Sequence, residues 1–95
     1  MHAVLGVWTV DARHAETQKQ GLESYVVPTV RQFPGFVRGF WTKSQDNNRD
    51  YTFIVFDDES SAQSFKASIE ANAPAWEAIG TRAEELHIVE VITAA

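Results

Sequence analysis

Cysteine is absent from the 95-residue chain. Disulfides, thiol nucleophiles and cysteine-ligated zinc are therefore excluded, leaving packing and hydrogen bonds to hold the fold. Positive charge is scarce too: 8 Lys and Arg, scattered singly, against 13 Asp and Glu give a formal charge of −5. Such a chain has no basic face to neutralise phosphates, which argues against nucleic acid and against anionic membrane surfaces as partners. No apolar run approaches the ~20 residues of a membrane span. The opening Met1-His2-Ala3-Val4-Leu5-Gly6-Val7-Trp8 lacks a basic leader and alternates like a strand. No signal peptide is expected, and the expected location is the cytoplasm. Phosphate-binding glycine loops, nucleophile motifs and zincin spacings are missing as well.

What remains is one domain over residues 1–95, of a size that buries roughly 60–65% of its unfolded surface. Residues 2–10 alternate His2, Val4, Gly6, Trp8 and Val10 with Ala3, Leu5, Val7 and Thr9. Both sets are mostly apolar, so neither face of this strand expects water. Asp11, or the residue after it, suits a helix N-cap. From about Arg13 to Gln32 the period becomes helical, with Ala15, Gln18, Leu22, Val26, Val30 and Phe33 on one stripe. Pro28 removes a backbone donor and crowds the carbonyl four residues back. The prediction is a kink near Ser24-Tyr25, or a second short helix opening at Pro28, with Tyr25-Val26-Val27 free to bend or extend.

The stretch Phe33-Pro34-Gly35-Phe36-Val37-Arg38-Gly39-Phe40-Trp41 closes that helix, turns, and launches an aromatic strand. Ser44–Arg49 is a polar loop, and Tyr51–Phe56 a third strand forming a hairpin with the second. Asp57-Asp58-Glu59 starts a second helix with Ala62, Phe65, Ile69 and Ala73 as its buried stripe and Pro74 as its end. A short turn then carries Trp76 and Ile79 inward, and Glu85–Ile92 is the last strand.

The order βαββαβ predicts a ferredoxin-like α+β fold, a four-stranded antiparallel sheet with two helices on one face. Two helices leave the other sheet face bare, yet the strands offer apolar side chains to both. A homodimer packed sheet against sheet is expected, with Val37, Phe40, Trp41, Phe53 and Val55 as interface candidates.

For a site, Trp8, Tyr25, Phe65 and Trp76 either line a cavity between helices and sheet or simply fill the core. The candidates for chemistry are Arg38, Tyr25 and His14. Arg38 either stabilises a phenolate or carboxylate, or pairs with Glu90 within the chain or across the dimer. His14 titrates in a useful range as a base, but no carboxylate is placed beside it and a surface histidine is the plainer reading. His2 and His87 have no ligand spacing, so no metal site is expected; Asp57-Asp58-Glu59 reads as helix-start acid.

Several of these features occur together in a known superfamily. They are the Val26-Val27-Pro28-Thr29-Val30 helix segment, Pro34-Gly35-Phe36-Val37-Arg38-Gly39 opening the second strand, the step Phe56-Asp57 into Glu59-Ser60-Ser61-Ala62, and the closing Val89-Glu90-Val91. Over residues 2–92 the chain resembles the dimeric α+β barrel superfamily and, within it, the antibiotic biosynthesis monooxygenase-like domains. The resemblance implies a homodimer without a cofactor. It implies either a cofactor-independent monooxygenase acting on a small aromatic or quinol-type substrate, with Trp8, Tyr25, Arg38 and Trp76 around it, or a non-catalytic ligand-binding or structural module. The haem-degrading members use an Asn on strand one, a Trp on the second helix and a His as iron ligand. Aligned on Pro34-Gly35-Phe36, this chain has Trp8, Phe65, and Ala75 or Trp76 at those places, so haem degradation is not expected.

Overall fold

His2–Val10 (β1) is the strand against which the others are assembled. It pairs antiparallel with Arg49–Phe56 (β3) on one side and Thr81–Glu90 (β4) on the other, while Phe36–Lys43 (β2) pairs with β3. The sheet is four-stranded with order β2-β3-β1-β4. Between β1 and β2 run Ala15–Gly21 (α1), a π-helical turn over Leu22–Val26, and Val27–Val30 (α2); between β3 and β4 run Glu59–Ala71 (α3) and Ala73–Ala78 (α4). This is the α+β arrangement expected. The structure, a computed structural model, describes residues 1–95 apart from Ala12, His14, Asn47 and Ile79, and apart from the side chain of Ala15. The expectations for His14 and Ile79 lie outside the described residues, as does the place of Ala15 on the helical stripe. No described helix is long and apolar enough to cross a membrane.

Pro28 neither breaks the helix nor lets the residues before it extend. Val26 and Val27 keep helical dihedrals, and the Val27 N–H reaches back five residues to the Leu22 carbonyl. Proline has no N–H for the Ser24 carbonyl, so the helix widens by one residue ahead of it. Pro28 then sits in the first turn of α2, the short second helix that the sequence offered as one alternative.

The core lies between helices and sheet: Val4, Ile54 and Phe56 of the strands meet Val30, Ala62 and Phe65 of the helices. Phe65 takes Phe33 edge-on at 5.2 Å and leans on Phe56 at 5.1 Å, adding aromatic contact to area burial. Asp58 caps α3 by accepting from the Ser61 N–H at 2.7 Å, which holds its carboxyl below the usual range.

Several boundaries differ from expectation, β3 starting at Arg49 rather than Tyr51 among them. α3 stops at Ala71 rather than at Pro74, because Asn72 takes the C-cap and donates its side-chain amide to the Ser68 carbonyl at 2.7 Å. β4 starts at Thr81 rather than Glu85 and ends at Glu90 rather than Ile92. A bulge at Val7/Trp8 resets its register, so that the polar Thr81-Arg82-Ala83 pairs with Val10, Thr9 and Trp8.

The sheet face away from the helices carries Leu5 and Val7 of β1, Arg38 and Phe40 of β2, Tyr51, Phe53 and Val55 of β3, and Val89 of β4, as the cross-strand partners require. Trp41 does not belong to it. A bulge between Phe36 and Arg38 inverts the alternation of β2, turning Trp41 toward the helices and Phe40 outward. The pairing of Arg38 with Glu90 inside one chain is also ruled out. The two residues sit on opposite edge strands, ~14 Å apart at sheet spacing.

Phe33-Pro34-Gly35-Phe36 is a tight turn closed by Phe36 N–H to the Phe33 carbonyl, with Gly35 at φ +79° where type II turns need glycine. The Gly35 carbonyl accepts from the Asp57 N–H, and a Cβ on Gly35 would come within 2.5 Å of Ser61 Oγ. Gly35→Ala therefore strains the backbone and pushes on the start of α3. Its thermal midpoint by circular dichroism should fall by about 5 °C or more; an unchanged midpoint would contradict this role for the turn.

Candidate functional site

Two strands repeat one local pattern, Gly6-Val7-Trp8 on β1 and Gly39-Phe40-Trp41 on β2. In a strand, residues two apart share a face, so each tryptophan stands beside a glycine on the helix side. A Cβ on Gly6 would lie 2.6 Å from both Trp8 Nε1 and Thr52 Oγ1; one on Gly39 would lie 2.9 Å from Trp41 ring atoms and Ile54 Cδ1. Each indole thus lies down over a glycine along the sheet. The Trp8 N–H donates to Thr52 Oγ1 at 3.0 Å, which fixes the ring. Trp76 of α4 meets it edge-on at 6.5 Å.

Above this floor is a cavity of about 620 Å³. Leu22, Tyr25 and Val26 of the π-helical turn, Val30 and Phe33 beyond it, and Phe65, Ile69 and Trp76 from α3 and α4 supply the apolar walls. The proline-induced widening of the first helix is therefore part of the wall. Tyr25, 67% exposed, stands at the rim. Trp76 Nε1 is buried without a hydrogen-bond partner. A smaller cavity of about 300 Å³ lies on the far side of Trp8 and Trp76, toward β4.

One end of the large cavity is polar. Asp50, 7% exposed, pairs across the sheet with Trp8 on one side and Lys43 on the other. Its Oδ2 accepts from Gln18 Nε2 at 2.6 Å and its Oδ1 from Lys43 Nζ at 3.2 Å. Among the described residues the charged ones lining the cavity are Lys19, Lys43 and Asp50, a positive excess within a chain of −5.

The structure brings Trp8, Tyr25, Phe65 and Trp76 to this one cavity and adds Trp41 to it. Arg38 is not there: it faces the opposite side of the sheet, beside Val55 and Phe40. Among the described residues no three His, Cys, Asp or Glu side chains converge as a metal ligand set. Sequence reasoning missed Asp50, Gln18 and Lys43. The available signal was period two: Asp50 shares a face with Thr52, Ile54 and Phe56, where a carboxylate must find partners.

No protein-family model matches the chain, and no curated protein matches it in sequence. Solved structures do match in fold. A Deinococcus radiodurans protein, provisionally described as an antibiotic biosynthesis monooxygenase, superposes with a TM-score of 0.78 at 15% identity, over 100% of this chain and 96% of that one. SnoaB, a cofactor-independent oxygenase from Streptomyces nogalater, gives 0.71 at 18% identity over 98% and 94%. MhuD, a haem degrader from Mycobacterium tuberculosis with two haems bound in its active site, gives 0.72 at 17% identity over 100% and 99%. The chain therefore has the four-stranded antiparallel α+β fold of the antibiotic biosynthesis monooxygenase structures. Among the described residues lining its cavity there is no histidine.

Gly6→Ala tests the floor. The new methyl displaces Trp8 from Thr52, which costs a hydrogen bond and overpacks the site, together about 1–3 kcal/mol. Urea unfolding should show that loss; wild-type stability would mean that Trp8 does not depend on the glycine.

Proposed function

We propose that the chain is a cofactor-independent monooxygenase-like protein whose helix–sheet cavity takes a small aromatic of the phenol or quinol type. The cavity carries this reading. Its volume of about 620 Å³ falls in the range of small-molecule sites, and its walls are aromatic and branched with a few polar groups at one end. Similarity in fold to a cofactor-independent oxygenase supports the choice of chemistry.

An electron-rich ring can react with dioxygen directly once it is ionised. In the conversion of a phenol to a quinone, one oxygen atom becomes the new carbonyl and the other leaves as water. The ring supplies the four electrons that dioxygen takes up. The protein has to orient the ring, keep water away and stabilise the ring oxyanion. Trp8, Trp41 and Trp76 provide flat apolar surfaces for the first two tasks, and Lys43 with the Thr52 hydroxyl provides polarity for the third. Arg38 has no part in this, because it lies across the sheet.

Oxygen uptake with a panel of quinols is the test. Uptake should depend on the protein, fall about tenfold or more in Trp76→Ala, and stay unchanged in Arg38→Ala. Identical background rates in all three would count against catalysis and leave the cavity as a non-catalytic binding site.

We also propose that the open sheet face is covered by a second copy. In the single chain Phe40 is 51% exposed and Leu5, Val7, Phe53 and Val55 extend its apolar surface, while Val37, 45% exposed, sits in the β2 bulge. An antiparallel sheet with a solvated face alternates apolar with polar, and this one does not. A two-fold arrangement lets one surface cover itself. Light scattering at micromolar concentration should give twice the mass of one chain, shifting to one chain in Phe40→Asp; a monomeric wild type would sink the proposal.

A further inference from the structure

We infer that Asp50 recognises a hydroxyl on the aromatic ligand by accepting its hydrogen bond, so that the cavity selects neutral hydroxy-aromatics over their ethers and over carboxylated rings. This rests on the cavity being the ligand site, as proposed above.

Asp50 is the carboxylate among the described lining residues, and it is almost fully buried. A buried carboxylate survives only with partners. Gln18 donates to Oδ2 and Lys43 to Oδ1, from two different elements, which pins the group in place. A carboxylate has about four acceptor positions, so each oxygen retains acceptor capacity, and the group borders the cavity. The site therefore holds a preorganised acceptor beside the flat face of Trp8, its cross-strand neighbour.

A ring lying against Trp8 with a hydroxyl toward Asp50 completes that carboxylate. The hydroxyl donates to the Asp50 carboxylate, which keeps its bonds from Gln18 and Lys43. A methyl ether offers no proton and displaces water from Asp50 without replacing its bonds. A ring carboxylate placed at this end meets the Asp50 charge.

All 3 tryptophans of the chain line the cavity, so indole N–H signals in NMR titrations report on it directly. The probes are 2-naphthol, 2-methoxynaphthalene and 2-naphthoate. Wild type should bind the naphthol about tenfold or more tighter than either analogue, as a hydrogen bond to a charged group would give. Asp50→Asn should keep the affinity for the ether and lose the preference for the hydroxyl. Asp50→Glu, which keeps a charge for Lys43 but displaces the acceptor, should lose most of the preference as well. Equal wild-type affinities for naphthol and ether overturn the inference and leave the cavity reading standing, with no variant needed. A preference that survives both substitutions overturns the assignment to Asp50. If no compound moves an indole signal, the inference falls together with the reading beneath it.

Discussion

Trp8 can lie along the sheet because Gly6, two residues earlier on the same strand face, has no side chain to hold it upright. Gly39 does the same for Trp41, and the Trp8 N–H is anchored on Thr52. With both indoles flat, the space above them stays open between sheet and helices; with larger residues at 6 and 39, the rings would be driven into it. Dense packing is the default in protein interiors. A cavity of this size is kept by backbone positions that forbid the side chains from filling it. Pro28 contributes from above, by widening the first helix where Leu22, Tyr25 and Val26 form the wall.

The sheet separates two kinds of surface. On the helix side, aromatic walls meet a buried Asp50 with fixed partners. On the other side, branched and aromatic residues lie without cover in the single chain, with Arg38 and His87 among them. The same alternation of side chains produces both, since each strand contributes every second residue to each face. Gly6 and Trp8 serve the cavity while Val7 between them serves the open face; Gly39 and Trp41 bracket Phe40 in the same way. Site and proposed interface are thus interleaved in sequence, and one-residue shifts of register would exchange them.

The architecture was legible because period-two and period-3.6 patterns are strong here. The stripe Leu22, Val26, Val30 and Phe33, the Pro34-Gly35 turn and the apolar open face follow from spacing alone. What was not legible depends on bulges and on pairing. The bulge at Phe36/Arg38 decided that Trp41 rather than Phe40 faces the helices, and simple alternation from Phe36 gives the opposite answer. The bulge at Val7/Trp8 recruited the polar Thr81-Arg82-Ala83 into β4. Asp50 fell between a polar loop and an aromatic strand and drew no attention, because its partners Gln18 and Lys43 are brought to it only by the fold. Arg38 stood out as a charge in an apolar strand, and the sheet placed it on the wrong side for the cavity.

The central claim is that the space over Trp8 and Trp41 is a ligand site for a hydroxylated ring. A crystal structure of the protein with 2-naphthol tests it most directly. The account requires the ring inside the helix–sheet cavity with its hydroxyl oxygen within hydrogen-bond distance, about 2.5–3.0 Å, of the Asp50 carboxylate. A cavity closed by repacked tryptophans, or naphthol bound on the open face instead, would contradict it.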